Sequence, residues 1–205
     1  MEIRISTQSG SVETFFQDDP ALAARMLKGI VPAKVFTGDA ITIAGEYSMT
    51  TFATSRVNRV DLIGEELPDW KYPAYFVDVV ELSADEFRER SHLNDPAQLE
   101  RRRRPRKAGE SAVIYVEVEM AGGSRIFLAA EGKIPLEAER LHRLHMLFSA
   151  PAVHFRMAQG VAILNLKNLV RFTCNPGPDR TPIDAWPAHH LSHREEFGQL
   201  AYNLD

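Results

Sequence analysis

The chain has a single cysteine, Cys174, among 205 residues. No disulfide can close within it, which fits a reducing compartment. It has no run of about 18 apolar residues, the length a membrane-spanning helix requires. Neither charge dominates: 24 Lys and Arg face 28 Asp and Glu, for a net charge of -4 and a pI near 6.0. No global field therefore draws the chain to nucleic acid or to an anionic membrane. Catalytic signatures are missing too. There is no GxSxG elbow, no GxxxxGK[ST] loop, no GxGxxG turn and no CxxC pair. The opening MEIRISTQSG has no basic segment followed by an apolar one, so it does not read as a signal peptide. The expectation is a cytoplasmic protein.

What is present is an ordinary globular composition, 44% hydrophobic and 25% charged. The length suits one large domain or two small ones. Ile3 and Ile5 alternate with Arg4 and Ser6, Ser9-Gly10-Ser11 turns the chain, and Val12–Phe16 is β-branched and aromatic. These predict a hairpin over 2–17. Asp18 and Asp19 offer capping oxygens, Pro20 suits a first helical turn, and Leu22, Ala23, Met26, Leu27 and Ile30 form one stripe. Three strands are expected next: Lys34–Phe36 running toward Ile41–Ala44, then Ser48–Thr54, then Val57–Ile63.

The second half repeats the order. Ile114–Met120, the Gly122-Gly123 turn and Arg125–Ala130 read as a hairpin. Pro135 opens a helix with the stripe Leu141, Leu144, Leu147 and Phe148. Strands follow at Val153–Arg156, Val161–Leu166 and Leu169–Cys174. Phe15 and Phe127 stand 112 positions apart (15 to 127), as do Gly10 and Gly122, Ile43 and Phe155, Phe52 and Leu164, and Arg59 and Arg171. Each half closes on an acid beside a tryptophan, Asp69-Trp70 and Asp184-Ala-Trp186. The expected fold is α+β: two similar β-rich units, each a hairpin, a helix and three strands, forming a pseudo-symmetric body. The units are 1–70 and 111–186. Between them, 71–110 reads as a strand through Leu82 plus a helical linker that opens on the capping box Ser83–Glu86. Residues 187–205 read as a tail.

Six groups of residues carry chemistry worth weighing. His189 and His193 are spaced to share a helical face, with Glu196 close behind, a set that would hold a divalent metal. Pro187 just before them and the absence of an HExxH arrangement favour solvated polar residues instead. His142 and His145 read as solvent-facing helix positions. Arg101, Arg102, Arg103, Arg104, Arg106 and Lys107 form a cation run that could contact an anion or nucleic-acid phosphates. No aromatics interleave it, and Glu100 pairs with Arg104 at helical spacing, so a solvated linker is the preferred account. His154 alternates away from Val153 and Phe155, which predicts an exposed sheet position. Cys174 reads as a buried structural thiol. Arg59 and Arg171 are the charged pair shared in register; a guanidinium there could bridge the halves or receive an anion bidentately, while a surface arginine with a packed stem is the default account.

The reading that follows is a non-catalytic binding or scaffold protein with no cofactor. Its expected partner is a protein or a small ligand, with a homo-oligomer admitted and no membrane contact. A metal-dependent enzyme using the His189/His190/His193 tail and a nucleic-acid binder using 101–107 are the alternatives.

Overall fold

The computed structural model describes residues 1–72, 76–92, 95, 97, 107–134, 136, 149–175, 185, 186 and 188. These form a mixed α+β fold, mostly sheet with two helices. Among them no helix is long and apolar enough to cross a membrane.

The alternating residues at the start form β1 (Glu2–Thr7) and β2 (Val12–Phe16). Asp19 caps α1 (Pro20–Gly29), its side chain accepting from the Ala21 and Leu22 amides. The expected strand at Lys34–Phe36 is not there. Pro32–Lys34 is a 3-10 turn, because Pro32 presets a helical φ. Phe36 then plugs into the core with no exposure. β3 (Ala40–Ala44) and β4 (Met49–Ala53) make a separate two-stranded sheet. A 3-10 turn at Thr54–Arg56 leads into β5 (Val57–Ile63).

β6 (Phe76–Leu82) and α2 (Ala84–Ser91) come from the stretch read as strand and linker. α2 starts on the expected capping box, with Ser83 and Glu86 each accepting the other's backbone N–H. Its Phe87 is buried against Tyr115 and Phe127. β7 (Ser111–Met120) and β8 (Arg125–Lys133) form the second hairpin. Gly122 in its turn has φ +88°, and a side chain there would run into the Gln8 carbonyl oxygen of the first hairpin's turn. β9 (Ala152–Met157), β10 (Gly160–Asn165), a 3-10 turn at Leu166–Asn168 and β11 (Leu169–Asn175) follow.

Among the described residues, nine strands join in one sheet, in the order β11-β7-β8-β6-β9-β10-β5-β1-β2. β6 therefore lies near the middle of the sheet, between β8 and β9. β10 pairs antiparallel with β5, Gly160 opposite Ile63 and Leu164 opposite Arg59, so a single sheet carries strands from both halves. Where β5 meets β1, Thr7 pairs with Val57 and Ser6 with Arg59, leaving Asn58 as a bulge. Where β11 meets β7, Leu169 pairs with Met120 and Arg171 with Glu119, leaving Val170 as a bulge.

Two cores result. The first gathers Ile3, Ile5, Leu27, Phe36, Phe52, Val57, Val60, Leu62, Ala152 and Ile163. The second gathers Val79, Val118, Met120, Ile126, Leu128, Ala130, Phe155, Ala162 and Leu164. Ile163 belongs to one and its neighbours Ala162 and Leu164 to the other. Adjacent strand residues point to opposite faces, so the cores lie on opposite faces of the sheet. Asparagines lace the seam between halves. Asn165, fully buried, donates to the Thr54 and Val57 carbonyls, Asn168 donates to Val57, and Asn58 donates to Ala121.

Candidate functional site

A cleft of about 340 Å³ opens on the first-core face beside β6, β9 and β10. One connecting segment and three strands build it. The chain leaving β5 folds back through Pro68, Asp69, Trp70 and Tyr72, with the Trp70 amide donating to the Pro68 carbonyl at 3.0 Å. Val77 and Asp78 on β6, His154 and Arg156 on β9, and Val161 on β10 complete the lining.

His154 is the organising side chain. It does point away from Phe155, as alternation requires, but it is buried, with 7% exposure. The expected exposed position is corrected by what covers that face. Tyr72 stacks on the imidazole, centroids 4.8 Å apart and rings 9° from parallel. Trp70 meets it edge-on at 6.2 Å. The His154 Nε2 lies 3.1 Å from the Trp70 carbonyl oxygen. A carbonyl only accepts, so Nε2 carries the proton and donates, leaving Nδ1 as an acceptor. Burial pulls the imidazole below its ordinary range, against the opposing bond to Trp70. His154 is thus neutral at pH 7.

Asp78 and Arg156 pair as a fork at the mouth, with Nε donating to Oδ1 at 2.8 Å and Nη2 to Oδ2. The guanidinium holds the Asp78 carboxyl below its usual range, and Asp78 in turn raises Arg156. The Tyr72 hydroxyl lies 3.4 Å from both Asp78 Oδ1 and the Val79 carbonyl. Burial, with Asp78 nearby, pushes that phenol up.

A second constellation lies on the opposite face. Arg59 on β5 donates to Asp61 at 2.5 Å and to both oxygens of Glu81 on β6 at 2.6 and 2.7 Å. Its guanidinium carbon stands 5.3 Å over the Phe155 ring. Burial acts to lower the Arg59 pKa, and the two carboxylates outweigh it, so the guanidinium is raised. Burial also lifts the Asp61 carboxyl, against the pull of Arg59. Arg171 pairs instead with Glu119 at 2.9 Å and Glu117 at 3.8 Å, in a more exposed setting.

The remaining sequence candidates fall elsewhere. His189, His190, His193, Glu196, His142, His145, Asp184 and Arg101–Arg104 with Arg106 lie outside the described residues. Lys107 is exposed. Among the described residues no three His, Cys, Asp or Glu side chains gather as a metal would require. Cys174 is half-buried, and burial pushes its thiol up to about 11. Trp70 packs against the first core, whereas Trp186 is 93% exposed, so the two acid–tryptophan segments differ.

Sequence reasoning singled out Asp69 and Trp70 but not Tyr72, Asp78 or Arg156. Only the pairing of β6 with β9 brings the last two together. Compared with known families, curated proteins and solved structures, the chain matches no family model, no curated protein and no solved structure.

Proposed function

We propose that this chain is a non-catalytic binding protein, built by duplication of a folding unit, that takes a small flat ligand in the Trp70–Tyr72–His154 cleft. The observation that carries the binding reading is the state of the cleft's polar groups. Asp78 is already engaged by Arg156, and the Nε2 proton of His154 is committed to the Trp70 carbonyl. Groups held in this way are fixed in place to orient a ligand. The aromatic walls and the apolar Val161 offer contact area, and the Asp78–Arg156 fork offers a polar edge. The ligand class that fits is an uncharged planar ring with hydrogen-bonding substituents along one side.

The duplication is supported by features that recur at one spacing. Each half has a 3-10 turn (54–56 and 166–168), then a strand (57–63 and 169–175), then a bulge at its second residue (58 and 170). Bulges are built-in devices of a strand, not accidents. Arg59 and Arg171 follow directly on those bulges.

Thermal-shift screening with planar heterocycles and aromatic amides tests the binding reading. At a ligand concentration of 100 Kd, binding to the native state adds about 2.7 kcal/mol. Ligands that raise the melting temperature should lose the effect in Trp70→Ala and in Arg156→Gln. Chemical turnover of such a ligand, abolished by His154→Gln, would overturn the non-catalytic reading.

A further inference from the structure

We propose that the cleft selects cyclic amides, rings whose edge carries an N–H beside a carbonyl, with the N–H donating to His154 Nδ1 and the carbonyl accepting from Arg156. The inference rests on the binding reading above and names the hydrogen-bonding edge its ligand must carry. The His154 imidazole lines the cleft at 7% exposure. Its Nε2 proton goes to the Trp70 carbonyl, which makes Nδ1 a lone-pair acceptor. That bond does not involve Nδ1. Among the described residues, the side-chain polar atom that is both sealed from solvent and without a partner is Asn58 Oδ1. His154 Nδ1 is therefore not sealed, and it meets the open space of the cleft.

Arg156 stands two residues further along β9, on the same face and roughly 6.6 Å away. Asp78 fixes its guanidinium through Nε and Nη2 without using Nη1, and the side chain stays 56% exposed. The cleft thus presents an acceptor and a donor about one ring edge apart. The acceptor asks for an N–H and the donor asks for an oxygen. A cyclic amide supplies both in one rigid, uncharged plane. A carboxylate is the worse fit, because Asp78 already neutralises Arg156 and Nδ1 would face a second lone pair. A ring without the N–H would strip water from Nδ1 and leave it unpaired. Trp70, Tyr72 and Val161 wall the body of the ring, and the volume of about 340 Å³ holds a fused two-ring compound.

The same contact couples the ligand to the imidazole's proton. Protonation turns Nδ1 from an acceptor into a donor. A bound cyclic amide must therefore keep His154 neutral to a lower pH than the empty cleft does. The charged and titratable groups around the imidazole are Asp69, Tyr72, Asp78 and Arg156 in the cleft, with Lys34 and Lys167 on the 3-10 turns packed against β9. A neutral ligand adds no charge to any of them.

The test changes the ligand and leaves the protein whole. Isoquinolone, N-methylisoquinolone and methoxyisoquinoline share one fused ring, and the first alone carries an N–H beside a carbonyl. Titration calorimetry of the full chain at neutral pH should find isoquinolone bound roughly tenfold to a hundredfold more tightly than either analogue. NMR titration of the His154 imidazole, its signals assigned by their loss in His154→Gln, should show a lower pKa with isoquinolone bound than without. Equal affinity for isoquinolone and its N-methyl form overturns the proposal. So does an imidazole that titrates unchanged, or at higher pH, with isoquinolone bound. In either case other planar rings that stabilise the chain through Trp70 would leave the binding reading standing. If no planar ring binds at all, both readings fall.

Discussion

His154 shows how a single residue's position in a strand leaves its environment undetermined. Alternation correctly turns it from the face of Phe155. What lies over the other face comes from Trp70, 84 positions earlier, and from Tyr72, and no local pattern announces them. The consequence is measurable in pH. The folded imidazole titrates below its ordinary 6.5, so between the two values the unfolded chain binds the proton more readily. Stability is therefore complete above about 6.5 and declines as the pH falls below it, until the folded group also titrates. Its neighbours do not confuse the window: Arg156 holds Asp78 ionised, and the Tyr72 phenol is pushed further up. In His154→Gln the amide can still donate to Trp70 but takes up no proton. Relative to that variant, the wild-type chain should lose stability as the pH is lowered from neutral to about one unit below the ordinary imidazole value. Urea melts at the two pH values give the comparison, and a difference that stays flat with pH would remove His154 from the account.

At the scale of elements, strands and turns were largely legible. Val57–Ile63 is as read, as is the capping box at Ser83, because capping oxygens, turn glycines and β-branched runs act over a few residues. Lys34–Phe36 failed because Val35 and Phe36 suit a strand by type, while Pro32 had already started a turn. What pairs elements was hidden. Arg59 and Arg171 share register, but one clasps β5 to β6 and the other clasps β11 to β7. The side chains of Arg59 and Asp61 are only 16% and 11% exposed, against 44% for Arg171. Removing one member of a buried cluster strands the others and costs about 3–5 kcal/mol. An exposed pair contributes about 0–1 kcal/mol. Arg59→Met should therefore lower unfolding free energy several times more than Arg171→Met. Equal losses in denaturant titrations would mean that the Arg59 cluster is as solvated as its counterpart.

For the whole molecule, the sequence suggested two units and a linker, and the order of strands changes what that means. β6, from the expected linker, holds β8 and β9 on either side. The first core needs Ala152 and Ile163 from the second half, and β5 needs β10 along its outer edge. Loss of either half would strip apolar cover and backbone pairing from the other. Such sharing makes partial unfolding costly, so the chain should unfold as one cooperative body rather than in two steps. The natural probes sit in different halves. Trp70 packs on the first core and reports by fluorescence in a Trp186→Phe background, while Cys174 on β11 reports by thiol labelling. In urea the two transitions should share one midpoint and one slope. If Cys174 became reactive at a denaturant concentration where Trp70 fluorescence was still native, the second half would be unfolding alone, and the shared sheet would not be what couples the halves.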